Sequence, residues 1–163
     1  MSSRESERTV RQSVLDRLTD NSPGLGDPPI TFSESVRQTK AALLRDLEWL
    51  FNTRRIAQPA DDTHPEVQRS VYHFGLPDTT ALSGEDPAVR RRLQRELQEC
   101  LRLFEPRLTQ IEVSVVPVTE ETKRQVRFMV EALLQLDPDT ERVVFDTVLD
   151  VSSGEFSMQT GHG

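Results

Sequence analysis

The sequence predicts an α+β domain, with N-terminal helices packed on one face of a small antiparallel β-sheet formed by the C-terminal half. Three observations lead there. Apolar residues recur at helical spacing through the first part of the chain, and beyond residue 107 their period falls to two. Glu105-Pro106-Arg107 stands at the switch. Helices followed by a run of strands describe an α+β layer arrangement rather than alternating βα units. At 163 residues there is room for one such domain, since a chain of this size buries roughly 70% of its unfolded surface.

The elements follow in order. Val10, Val14, Leu15 and Leu18 share one face of a short helix, and Asn21-Ser22-Pro23-Gly24-Leu25-Gly26-Asp27-Pro28-Pro29 is dense in breakers. Residues 1–30 therefore read as an arm with a short amphipathic helix and a Pro/Gly-rich linker, ahead of a single domain over 31–163. A helix of about three turns is marginal alone in water, so the stripe of Val14, Leu15 and Leu18 needs a surface to dock on, its own domain or a partner.

Ser33 or Ser35 can cap a helix reaching about Thr53. Val36, Leu43, Leu47, Leu50 and Phe51 form its apolar stripe, with Arg37, Lys40, Arg45 and Glu48 outside and Trp49 beside the stripe. A loop with Pro59, Asp61, Asp62 and Pro65 leads to a helical turn near Val67 to Val71. The Gly and Pro of Tyr72-His73-Phe74-Gly75-Leu76-Pro77-Asp78 then mark an ordered turn. Asp86 and Pro87 fit the N-cap and first position of the second main helix, whose buried face is Val89, Leu93, Leu97, Cys100, Leu101 and Phe104.

That helix stops at the corner. Pro106 has no backbone N–H and disfavours helical geometry at Glu105, so the chain turns in a fixed direction. Ile111, Val113 and Val115 then alternate with Glu112, Ser114 and Val116. Val126, Phe128, Val130, Ala132 and Leu134 alternate with Arg127, Met129, Glu131 and Leu133. Leu136-Asp137-Pro138-Asp139-Thr140 reads as a turn, Phe145, Thr147, Leu149 and Val151 as one face of a third strand, and Phe156 and Met158 as a short fourth after Ser153-Gly154.

Composition removes several functions. A net charge of −7 opposes binding to nucleic acid, whose phosphates call for clustered cations. One cysteine excludes an intramolecular disulfide framework and fits a reducing compartment. No apolar signal region or membrane-spanning stretch is present, so a cytoplasmic protein without direct membrane insertion is expected. His64, His73 and His162 lack metal-ligand spacing, and neither a phosphate loop nor a nucleophile elbow occurs, so no metal or cofactor is expected. Cys100, on an apolar helix face, reads as a buried inert thiol. Arg90-Arg91-Arg92 and Arg95 read as a solvated face, with Arg92 and Arg95 paired at i+4 to Glu96 and Glu99. No carboxylate spacing singles out a glycosidase pair, so no enzymatic activity is expected. For the corner two accounts stand. Its charges bridge each other or nearby loops, or Arg107 and Glu105 are offered to a partner.

Ser35-Val36, Asp46-Leu47-Glu48-Trp49-Leu50-Phe51-Asn52-Thr53-Arg54-Arg55, Phe74-Gly75-Leu76-Pro77-Asp78 and Phe104-Glu105-Pro106-Arg107-Leu108, in that order, resemble the TssE family of type VI secretion. That family is similar to the contractile-phage baseplate wedge protein once labelled lysozyme-like. The resemblance covers most of residues 31–151, with Phe74 standing where the family pattern has Tyr. It implies a non-enzymatic structural subunit of a cytoplasmic baseplate near the inner membrane, joined to the wedge proteins TssF and TssG with TssK in the same complex, and seating the TssB-TssC sheath. It further implies that Glu105, Pro106 and Arg107 hold the wedge core and that Val14, Leu15 and Leu18 dock the arm on a partner. Asn52, Arg54, Arg55, Gly75, Leu76, Pro77 and Asp78 are then structural motif residues. The alternative is a regulatory binding module of the same fold resembling the anti-adaptor IraD; a peptidoglycan-cleaving enzyme is a remote one.

Overall fold

In the computed structural model, residues 10, 13–19, 31–58, 63–79, 86–117, 125–137 and 139–161 are described. The chain runs α1 (Val14–Leu18), α2 (Phe32–Asn52), α3 (Pro65–Gln68), a 3₁₀ turn (Val71–His73) and α4 (Pro87–Phe104). The strands follow as β1 (Leu108–Val116), β2 (Gln125–Gln135), β3 (Thr140–Asp150) and β4 (Phe156–Thr160). The α+β architecture expected from the change of period is present. Asn21 to Pro29, the loop residues Pro59, Asp61 and Asp62, and Pro138 lie outside the described residues.

The start of α2 departs from expectation. Thr31, rather than Ser33 or Ser35, is the N-cap, its Oγ1 accepting the Glu34 N–H at 3.3 Å. Phe32 packs against the core, which draws the helix start forward. Ser35 is buried instead, donating to the Phe32 carbonyl at 2.7 Å. Leu43, Leu47, Leu50 and Phe51 form the buried stripe as read, and Trp49 stays exposed.

Asp86 and Pro87 open α4 as expected, with Asp86 accepting the Ala88 N–H at 2.7 Å. Leu93, Leu97, Cys100 and Leu101 are buried, while Val89 and Phe104 are half-buried against the core. The short turn expected at Val67 to Val71 is split into α3 and the 3₁₀ turn, because Pro65 at the first helical position moves the helix start upstream.

The sheet is an antiparallel meander in the order β1-β2-β3-β4. Its core face carries Val113 from β1 and Val126, Phe128, Val130, Ala132 and Leu134 from β2. From β3 and β4 come Val143, Phe145, Thr147, Leu149 and Phe156. Val151 is half-buried and packs against the same core, but from beyond the strand. β3 ends at Asp150, and Val151 lies in the following turn, where Asp150 accepts the Ser152 and Ser153 N–H groups. Near its start β1 holds a bulge, with the pairing shifting between Thr109 and Glu112 and Gln110 at φ 51°. One extra residue there lets Leu108 and Ile111 both face the core despite their odd spacing.

Thr147 is fully buried on this face, and among the described residues its Oγ1 has no hydrogen-bond partner. A buried unsatisfied hydroxyl costs about 1–3 kcal/mol. Thr147→Val is therefore expected to raise stability by about 1 kcal/mol, read as a rise of about 2–4 °C in thermal midpoint. An unchanged or lower midpoint would show that the hydroxyl is satisfied.

Candidate functional site

The corner forms because α4 ends on a normal closing bond, Glu105 N–H to the Leu101 carbonyl at 2.9 Å, and Pro106 forbids another turn. Leu108 then enters β1. Glu105 is buried, Arg107 half-buried and Pro106 exposed. Arg107 grips Glu105 with two parallel bonds, Nε to Oε1 and Nη2 to Oε2, both 2.6 Å, while its backbone N–H also reaches Oε1 at 3.2 Å. The same Nη2 donates to Asp46 on α2 at 2.8 Å. These bonds, foremost those to Glu105, raise the guanidinium pKa above its ordinary value against the opposing effect of burial.

The network continues. Asp46 accepts from Arg45 at 2.9 Å, and Arg45 donates to Asp16 on α1 at 2.8 Å. Asp16 also accepts from the Ser13 hydroxyl at 2.6 Å, and this bond with the Arg45 contact lowers its pKa. Arm, α2 and corner are thus joined through alternating charges. The arm is anchored again at Val10, a core residue whose N–H donates to Ser35 Oγ at 3.1 Å. Val14, Leu15 and Leu18 do not fold onto the domain. They are 70%, 55% and 78% exposed, a free apolar stripe on an arm held by its other side.

The motif residues at the end of α2 tie the molecule together. Asn52 clasps β4, its Nδ2 donating to the Phe156 carbonyl at 2.9 Å and its Oδ1 accepting the Phe156 N–H at 2.8 Å. Arg54 donates to the Gly154 carbonyl in the β3–β4 turn and lies 4.0 Å from the exposed Asp78. Arg55 pairs with Glu96 on α4 at 3.0 Å. That pair stands in place of the expected Arg92–Glu96 contact: Arg55 and Glu96 are both half-buried, while Arg92 is exposed.

Gly75 and Leu76 seal this junction. Leu76 N–H bonds the Thr53 carbonyl at 2.9 Å, and Arg55 N–H bonds the Leu76 carbonyl at 2.8 Å. Gly75 sits at φ +99°, and a Cβ there would stand 2.2 Å from the Thr53 carbonyl oxygen. Half-buried Pro77 continues the turn, and the Phe74 ring meets Phe104 edge-on with centroids 5.3 Å apart. Cys100 Sγ donates to the Gly75 carbonyl, and burial pushes the thiol up to about 12, which keeps it protonated and unreactive at neutral pH.

The two edges of the sheet differ. On β1, Gln94 and Gln98 of α4 donate to the Val113 and Ile111 carbonyls at 2.7 and 2.9 Å, so helix side chains occupy two of the outward acceptors. On β4, Asp150 N–H bonds the Glu155 carbonyl and Gly161 N–H bonds the Val144 carbonyl, which sets odd-numbered residues toward β3 and even-numbered ones outward. Asn52 takes the outward groups of Phe156. Outside Met158 and Thr160 no described residue supplies a partner, and this stretch of edge is open.

The sequence singled out Glu105, Arg107, Asn52 and the Gly75 turn, but took Glu105 as offered to a partner, whereas it is buried and turned inward onto Arg107. It missed Asp46 as the partner of Arg107, and Gln94 and Gln98 as the cover of β1. Asp46 and Arg107 are 61 positions apart, and nothing local marks their meeting. The two glutamines do carry a signal, polar residues at i, i+4 bordering the apolar stripe of an amphipathic helix. Among the described residues no group of three or more His, Cys, Asp or Glu side chains is placed to hold a metal ion, and no helix is long and apolar enough to cross a membrane.

The family profile described as baseplate wedge protein gp25 matches residues 37–139, from the first turns of α2 to the β2–β3 turn. The chain belongs to the gp25 baseplate wedge family. This agrees with the TssE resemblance read from the motifs, and a phage-baseplate-like structural role follows from the membership. No curated protein matches the chain. The gp25 match takes in Asn52, the Gly75 turn and the corner, whereas Phe156 and Gly154, which Asn52 and Arg54 hold, lie beyond its end.

Proposed function

We propose that this gp25-family chain is a non-enzymatic structural subunit of a type VI secretion baseplate, working in the cytoplasm near the inner membrane. It joins TssF and TssG, with TssK in the same complex, and seats the first TssB-TssC sheath subunits. The observation that carries the reading is the unequal treatment of the sheet edges. On β1 glutamines from α4 take the Ile111 and Val113 carbonyls, whereas β4 leaves both backbone groups of Met158 and Thr160 open at its outer side. An exposed row of backbone donors and acceptors is a template for another strand, and proteins normally blunt it. Strand addition there draws affinity from backbone hydrogen bonds and register from alternating side chains.

The remaining contacts follow the exposed groups. Pro106 and the open rim of Arg107 present the corner to the wedge core, while Glu105, turned inward, holds Arg107 in position. The stripe of Val14, Leu15 and Leu18 docks the arm on another wedge protein.

Met158→Pro is the direct test. Met158 N–H points outward, so proline leaves the β3–β4 ladder intact and removes an edge donor. The variant is expected to co-purify with TssF and TssG and to lose seeding of TssB-TssC sheath. Sheath seeding at the wild-type level would refute the edge as the sheath seat. Failure of the wild-type chain to co-purify with either wedge protein, with recovery of a response-regulator adaptor instead, would replace the baseplate reading.

A further inference from the structure

A groove of about 640 Å³ opens beside the start of β4, with Glu48 and Asn52 of α2, Arg54, Asp150, Glu155 and Phe156 among its lining. Its charges do not balance. Arg54 is engaged by the Gly154 carbonyl, and Asp150 is committed to its turn through the Ser152 and Ser153 N–H groups. Arg54 also lies 4.0 Å from Asp78, so its charge is already met outside the groove. Glu48 and Glu155 are exposed, and among the described residues neither has a cationic partner.

These carboxylates flank a strand edge that is itself unfilled. The Asn52 clasp on Phe156 fixes one end of α2 against this edge, and Lys40, three turns earlier on α2, pairs with Glu141 of β3 at 2.7 Å. Helix α2 thus runs lengthwise beside β4, its rows set by the 3.6-residue repeat. The cation at the far end is already neutralised by Glu141. The acid at the near end is not. A strand laid along Met158 and Thr160 meets the uncompensated carboxylates of Glu48 and Glu155 at its Phe156 end, while Asp146, opposite Gln159 on β3, lies one strand further in.

We infer that this edge selects its incoming strand by charge: the added strand carries Lys or Arg where it passes Glu48 and Glu155, which fixes both its identity and its direction. The inference rests on strand addition at β4, and it names the chemistry of the partner strand. Opposite charge supplies attraction there, and an acidic residue is repelled, so wrong strands and the reversed orientation are disfavoured together.

Full-length protein titrated into labelled ten-residue peptides of alternating Val and Thr, ending in Lys, Glu or an uncharged residue, tests this by fluorescence anisotropy. Wild type is expected to bind the Lys peptide about tenfold more tightly than the Glu peptide at low salt, the ratio shrinking above about 0.15 M. The E48Q/E155Q double variant is expected to keep the uncharged peptide and lose the preference. Met158→Pro is expected to lose all three. Loss in Met158→Pro together with a preference that survives E48Q/E155Q, or that wild type never shows, overturns charge selection and leaves strand addition standing. Undiminished binding by Met158→Pro, or no binding of any peptide by wild type, overturns strand addition and the charge rule with it.

Discussion

Arg107→Ala is expected to destabilise the isolated domain by about 3 kcal/mol, because it strands a buried carboxylate. Glu105 is 5% exposed, and the side chain and backbone of Arg107 supply its hydrogen bonds: two from the guanidinium and one from the main-chain N–H. Removing the guanidinium leaves a buried charge with one backbone donor and also cuts Asp46 from the corner. For a domain of this size the loss corresponds to a fall of about 6–12 °C in thermal midpoint. The pair itself contributes less than its rupture costs, since two ions must be desolvated to make it. Pairing Arg107→Met with Glu105→Gln should therefore recover part of the loss. A denaturation midpoint in Arg107→Ala equal to wild type would mean that Glu105 is hydrated and the corner is not an internal lock.

This expectation separates two uses of one residue. Weak wedge assembly by an Arg107 variant reports on a contact only if folding is first shown to be intact. Pro106, exposed at the tip, is the cleaner probe of the proposed wedge contact, because it takes no part in the Glu105–Arg107 bonds.

Gly75→Ala is the second large effect, expected to cost about 3 kcal/mol or more. Two penalties add. A φ of +99° is one that side-chain-bearing residues rarely adopt, which costs roughly 1–3 kcal/mol. The new Cβ also meets the Thr53 carbonyl oxygen at 2.2 Å, and that oxygen is backbone holding the Leu76 N–H, so it cannot swing aside as a side-chain tip would. Relief requires parting the 53–55 segment from Leu76, which disturbs Arg55–Glu96 and the Cys100 thiol that rests on the Gly75 carbonyl. Urea unfolding would measure the loss, and exposure of Cys100 to a thiol reagent would locate it. A loss under 1 kcal/mol with Cys100 still protected would sink this account.

The sequence was most legible where physical cause and residue are close together. Asp86 and Pro87 announced α4 because a cap and a preset φ act within one turn. The strands were legible because burial on one face forces alternation. Val151 kept its contact with the core but not its place in the strand. Its parity continued the β3 pattern, but Asp150 turned the chain with two hydrogen bonds to following N–H groups. Ser33 and Ser35 were both plausible caps, and only the burial of Phe32 and the docking of Val10 on Ser35 moved the cap to Thr31. The arm divided in a way periodicity does not reveal. Val10 joins the core while Val14, Leu15 and Leu18, on the same predicted stripe, face outward.

By itself the sequence determined the helical half and the stranded half, the corner at Glu105-Pro106-Arg107, the Gly75 turn and, through ordered motifs, the gp25 family. The two halves, the corner and the turn follow from periodicity, from the missing N–H of proline and from the freedom of glycine, all properties of residues a few positions apart, while the family rests on the resemblance of the motifs. Tertiary structure alone decided that Glu105 turns inward, that Asp46 and Asp16 join the corner's charges, and that Gln94 and Gln98 cover one sheet edge while Asn52 covers only part of the other. The reason is physical. Hydrogen bonds and ion pairs form between groups that packing brings within about 3 Å, and the burial of α2 and α4 on one sheet face, rather than any local pattern, sets which side chains arrive there.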